Sequence, residues 1–194
     1  MTRLLMIAAA MFIASALTAA QSAPKRYGIG TPATPDQIAA VDIDVRPDGT
    51  GLPPGSGSAR EGAPIYAQKC ASCHGANGEG GTGDALVSAA PNTIAPFGPE
   101  YEQWRGNRPD VPFTIGNYWP YATTIFDYLR RAMPASAPGT LTADETYALT
   151  AWLLAKNNII AETDPMNADT LPRVRMPARA RFVPDNRKGG SEVR

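Results

Sequence analysis

Both cysteines and the single histidine of this 194-residue chain fall within one pentapeptide, Cys70-Ala71-Ser72-Cys73-His74. A disulfide between Cys70 and Cys73 would close a very short loop and add little, since that stabilisation grows with loop length. A zinc site needs further Cys or His ligands, and the sequence holds none. A thioredoxin-like redox pair needs a βαβ setting, which the surrounding pattern lacks. On a helical turn, residues at i and i+3 share a face, so the two sulfurs point one way and His74 presents an imidazole beside them. Cys-x-x-Cys-His in that geometry reads as covalent attachment of a c-type haem. Cys70 and Cys73 would meet its two vinyl groups, and His74 would ligate the iron.

The regions around the motif agree with this reading. Arg3 followed by the apolar run Leu4–Leu17 and the small residues Thr18-Ala19-Ala20 predicts a signal peptide over residues 1–20. The run is shorter than the roughly 20 apolar residues of a permanent anchor, so the expected protein is periplasmic and not membrane-anchored. Residues 21–57 read as an extended, turn-rich N-terminal arm with at most one helical turn, at Asp36–Ala40. Ser58 and Glu61 form a capping box that starts a helix running into the motif. From Gly75 to Asn117 the chain is rich in Gly and Pro; a loop of that length suits a compact domain only if it packs on something, and a haem would serve. Tyr121, Ile125, Tyr128 or Leu129, and Ala132 mark the apolar face of a second helix, stopped by Pro134. A third begins with the capping box Thr142/Glu145, contains Trp152 and ends at Asn157-Asn158. Tyr66 and Trp152 are expected to pack where the first and third helices cross. The cytochrome domain is thus placed at 58–160, with a basic C-terminal tail over 161–194 that shows no core pattern.

Formal net charge is zero, which argues against a nucleic-acid partner. The balance is uneven, however. Gln21–Leu171 holds 10 basic and 16 acidic residues, whereas Pro172–Arg194 holds 7 and 2. The tail is either a solvated segment or a docking arm for an acidic partner.

The second axial ligand follows by elimination. His74 is the only histidine, so bis-histidine ligation within one chain is ruled out. Methionine is the next common choice and raises the reduction potential. Met1, Met6 and Met11 would leave with the signal, which leaves Met133, Met166 and Met176. Met133, beside Pro134 and before a capped helix, is the favoured ligand; Met176, also followed by a proline, is the alternative. Gly75 and Gly78 would let the chain pass close to the haem, and Arg105, Arg108, Tyr118 and Trp119 are candidate donors to its propionates.

Cys70-Ala-Ser-Cys-His74, the Ala-Met133-Pro loop and Leu141-Thr-Ala-Asp-Glu145…Tyr147-Ala-Leu-Thr-Ala-Trp152 together resemble the class I cytochrome c family over about Ser58–Ile160. The resemblance implies an all-α class I cytochrome c fold, here with long Gly/Pro-rich loops and extended terminal arms, and His74/Met133 as axial ligands. The stretch from Tyr27 to Ser58 and Trp119-Pro-Tyr-Ala-Thr-Thr-Ile-Phe-Asp-Tyr are similar to SoxD-like cytochromes. These are the cytochrome subunits of periplasmic molybdenum sulfane or sulfite dehydrogenases, as in SoxCD. That similarity implies an electron-transfer subunit of an oxidoreductase complex, accepting electrons from a molybdenum-containing dehydrogenase and passing them to a downstream cytochrome or oxidase; some relatives carry a second haem, but the one Cys-x-x-Cys-His here makes this a single-haem member. The other readings are a free soluble carrier, and a haem enzyme or sensor with an open iron site if Met133 does not ligate.

Overall fold

The computed structural model describes residues 27–88 and 112–183. The expected signal segment, Arg105, Arg108 and the last eleven residues lie outside them. Two compact units are separated at Val41/Asp42. In the first, helix α1 (Pro35–Ala39) opens with Thr34 as N-cap and Pro35 in the first turn, and Thr34 and Gln37 reciprocate as a capping box. None of its residues is buried.

The second unit is built from helices α2 (Ala59–Lys69), α3 (Ala71–His74), α4 (Ala122–Ala132) and α5 (Ala143–Lys156). Both expected capping boxes are present. The Ser58 N–H donates to Glu61 Oε2 at 2.7 Å, and the Thr142 N–H to Glu145 Oε2 at 2.9 Å. Helix α2 buries Ala59, Gly62 and Tyr66, a stripe at helical spacing. That stripe lies across α5, every residue of which from Thr146 to Leu154 is buried.

The crossing is close because it is made by small residues. A Cβ on Gly62 would come within 2.1 Å of the Ala148 carbonyl oxygen. Tyr66 and Trp152 stack there with ring centroids 3.7 Å apart, as expected from the sequence. Helix α4 also packs on α5, with Phe126 against Tyr147 at 4.5 Å. Its face is resolved in favour of Leu129, which is buried, over Tyr128, which is exposed.

The fold is helical as expected, with one small addition: β1 (Ser56–Gly57) and β2 (Met166–Asn167) pair antiparallel. That pairing belongs to a larger correction. The chain past Ala161 does contribute to the core, through Met166, Leu171, Met176 and Ala178, all buried. Residues 42–57 also pack on the helices: Val45 is buried, the Tyr147 hydroxyl donates to the Pro53 carbonyl at 2.8 Å, and the Thr123 hydroxyl to that of Pro47 at 3.0 Å. Irregular segments like these satisfy their backbone through side chains of the helices they cover.

Candidate haem site

Helix α2 ends at Cys70, whose φ of −126° breaks the helical run before α3 begins at Ala71. The Cys70 carbonyl then accepts the amides of Cys73 at 3.1 Å and His74 at 3.0 Å, which winds the pentapeptide into one tight turn. Both thiols are free, that of Cys70 half-buried and that of Cys73 exposed. Burial pushes the Cys70 thiol up, with the Lys69 ammonium acting against it and Cys73 reinforcing it.

After His74 the chain reverses through Gly75, whose φ of 82° favours glycine, and folds back over the turn. The Gly80 amide donates to the His74 carbonyl at 2.7 Å, and the Gly83 amide to that of Cys73 at 2.9 Å. At Gly83 a Cβ would lie 2.9 Å from His74 Cε1, so only a glycine lets the loop come this near the imidazole. The next residue carries the consequence: the Asp84 carbonyl oxygen sits 2.7 Å from His74 Nδ1. A carbonyl only accepts, so Nδ1 carries the proton and Nε2 presents its lone pair. The Tyr66 hydroxyl, pushed up to about 12 chiefly by burial and hence a permanent donor, ties down the Gly75 carbonyl at 2.9 Å.

Met133 caps α4 at its C-terminus, half-buried, its amide donating to the Leu129 carbonyl at 3.1 Å. Together with Cys70, Leu86 and Trp119 it packs against the hydrophobic cluster of the core. Met166 and Met176 are members of that cluster, with 4% and 5% of their surface exposed. Of the expected propionate donors, Trp119 gives its indole N–H to Thr124 Oγ1 at 2.9 Å, and Tyr118 sits in an exposed aromatic contact with Phe113.

Two participants were missed from the sequence. The Asp84 carbonyl is a backbone group and leaves no side-chain signal. Asn157 reads as a helix stop, yet it is also a buried junction: its Oδ1 accepts the Gly116 amide at 3.1 Å and its Nδ2 donates to the carbonyls of Leu86 at 3.1 Å and Leu153 at 2.8 Å. Among the described residues, no group of three or more His, Cys, Asp or Glu side chains could hold a metal ion. The donors present suit a haem instead: two free thiols, one imidazole with its outer nitrogen oriented, and a thioether at the margin of an apolar cluster.

A helix crossing sealed by stacked aromatics, leading into a Cys-x-x-Cys-His turn, is the arrangement of a c-type cytochrome. Residues 57–153 match the family model described as cytochrome c oxidase, cbb3-type, subunit III. A chain in the crystal structure of the sulfane dehydrogenase SoxCD from Paracoccus pantotrophus is 35% identical, with a TM-score of 0.67; the match covers 86% of this chain and 76% of that one. No match is found among the curated proteins. The chain belongs to the class I cytochrome c family, close to the SoxD-like cytochromes, and is an electron-transfer cytochrome of the haem-binding kind.

Proposed function

We propose that this chain carries one haem, bound covalently through Cys70 and Cys73, with His74 and Met133 as axial ligands. We further propose that it works in the periplasm, accepting single electrons from a molybdenum-containing dehydrogenase subunit that oxidises a sulfur compound and passing them to another cytochrome or an oxidase. Bound, the haem supplies a one-electron couple at its iron. The chain's own residues hold and orient it. The observation that carries the reading is the His74–Asp84 hydrogen bond, which fixes the tautomer with Nε2 free for a metal. Burial of Met166 and Met176 among core side chains favours Met133, which lies at the edge of that core. Two protein ligands would leave the iron little to rearrange between oxidation states, which suits a carrier over an enzyme.

The partner reading rests on the similarity to a chain of SoxCD and on the surface of the N-terminal unit. Tyr27, Ile29 and Val41 there are 79%, 91% and 75% exposed, apolar area that a docked subunit would cover. Among the described residues no helix is long and apolar enough to cross a membrane.

Protein made with a working haem-attachment system should be coloured and heavier than the bare polypeptide by one haem. A colourless product at polypeptide mass sinks the proposal. Pull-down from periplasm should recover molybdenum alongside iron; iron without molybdenum would support the free carrier instead.

A further inference from the structure

Beside the apolar face that α4 turns to α5 runs a polar one, and residues 43–47 are strapped along it. Thr123, Asp127, Arg130 and Arg131 recur at helical spacing, and each grips a different point of the strap. The Thr123 hydroxyl donates to the Pro47 carbonyl at 3.0 Å, the Asp127 carboxylate accepts the Val45 amide at 2.9 Å, and Arg130 Nη1 donates to the Ile43 carbonyl at 3.3 Å. Arg131 lies 3.7 Å from Asp44 Oδ1 and is itself tied to Asp127, from Nε to Oδ1 at 3.0 Å and from Nη2 to Oδ2. The strap therefore runs antiparallel to the helix, with Pro47 at its first turn and Ile43 at its last.

Asp127 is buried. A carboxylate taken out of water keeps its charge only beside partners, and those of Asp127 are a strap amide and the Arg131 guanidinium. The grip also reaches the end of the helix that most needs it. The last four carbonyls of a helix have no intrahelical donor, and terminal turns fray. Arg130 and Arg131 belong to that turn, and Met133 caps it with a single amide bond, to Leu129. Fraying of the turn would carry the thioether away with it.

We infer that Asp127, Arg130 and Arg131 are positioning residues for Met133: by clamping the strap to the last two turns of α4 they hold the helix end from which the thioether reaches the iron. The inference rests on the reading of Met133 as second axial ligand. It supplies what that reading lacks, a reason why a ligand set on a helix end stays on the metal.

Imidazole added to the oxidised, haem-loaded protein tests this. It takes the iron position only in molecules whose methionine has let go, so its apparent affinity rises with that fraction. Asp127→Ala releases the Val45 amide and Arg131 together, and should bind imidazole about tenfold more tightly than the unsubstituted protein. That moves it towards Met133→Ala, which has no thioether to displace. Arg130→Met keeps an apolar stem, loses the bond to Ile43, and should shift the affinity the same way by less; it makes the test alone if Asp127→Ala yields no folded protein. Met166→Ala, at a buried site in β2, should lose stability to denaturant and leave imidazole binding unchanged. A clamp variant that loses stability yet binds imidazole as the unsubstituted protein does overturns the inference and makes the strap a structural cover only. Equal tightening in Met166→Ala overturns it too. If the unsubstituted protein already binds imidazole as tightly as Met133→Ala, the ligand assignment beneath fails instead, and a colourless product sinks haem attachment itself.

Discussion

The two proposed axial ligands are held in different ways. His74 is enclosed by its own chain: its carbonyl accepts from Gly80, its Nδ1 meets the Asp84 carbonyl, and Gly83 leaves space against the ring. Met133 is placed by the end of a helix, with one amide bond back to Leu129 and a turn closed by the Ala137 amide on the Pro134 carbonyl at 2.8 Å. The histidine ring is therefore preorganised by a hydrogen bond of its own, whereas on the methionine side the hydrogen bonds hold only the backbone and the side chain is placed by packing. A thioether is also a weaker donor than an imidazole. The difference teaches which ligand can be exchanged without losing the fold.

The largest effect should come from the methionine side. Met133→Ala should leave a folded, coloured protein, because Cys70, Cys73 and His74 are untouched. Its midpoint potential should fall markedly, within the roughly 0.8 V that axial ligation commands, and added imidazole should bind at the vacated position. Met176→Ala should cost about 2–5 kcal/mol of stability, as a buried Met truncation does, with the ligand spectrum unchanged. The opposite pattern would move the ligand to Met176 and erase the comparison.

The histidine side can be loosened without touching the histidine. Asn157→Ala removes the side-chain bonds to Gly116, Leu86 and Leu153 at once; the two carbonyls keep a backbone donor each, from Ile115 and from residue 157 itself, while the Gly116 amide loses its partner. The expected cost is about 2–3 kcal/mol, larger than for a single neutral hydrogen bond. Measured by denaturant unfolding of the haem-loaded protein, a loss below ~0.5 kcal/mol would mean that the attachment loop does not depend on the end of α5.

How much of this was legible beforehand depends on the range of the signal. Ser58/Glu61 and Thr142/Glu145 are local pairs three residues apart, and both form. The Tyr66–Trp152 stack was legible because each residue lies on the apolar stripe of a helix. Leu171, Met176 and Ala178 were not, because they follow no helical or strand period and are buried along a segment of loops and single 3-10 turns. Asp127 shows the same limit. On α4 it is buried, accepting the Val45 amide at 2.9 Å and the Arg131 guanidinium, and its partner Val45 lies 82 residues away in sequence. The site divides in the same way. The residues proposed to bind the haem are a motif, while the groups that position them are a main-chain carbonyl and an asparagine at a helix end.

The smallest effect tests whether the histidine side is also steadied from the helix before it. Lys69, next to Cys70, reaches Glu145 Oε1 at 2.6 Å, joining the last turn of α2 to the first turn of α5. That bond is the main reason the Glu145 carboxyl is held below its ordinary 4.5, with the Thr142 amide second. A carboxyl lowered in the folded state stabilises it above pH 4.5, and the contribution drains away as pH falls through the lowered value. Both side chains are partly exposed, so the pair is worth less than ~1 kcal/mol. Lys69→Met should therefore cost a few tenths of a kcal/mol at pH 7, and the gap to the unsubstituted protein should close as the pH is taken well below 4.5. Equal gaps at pH 7 and pH 3 would show that Lys69 acts through its packed methylenes and not its charge. The attachment turn would then owe its position on α5 to packing, including the Tyr66–Trp152 stack and the Gly62–Ala148 approach, and not to the charge pair.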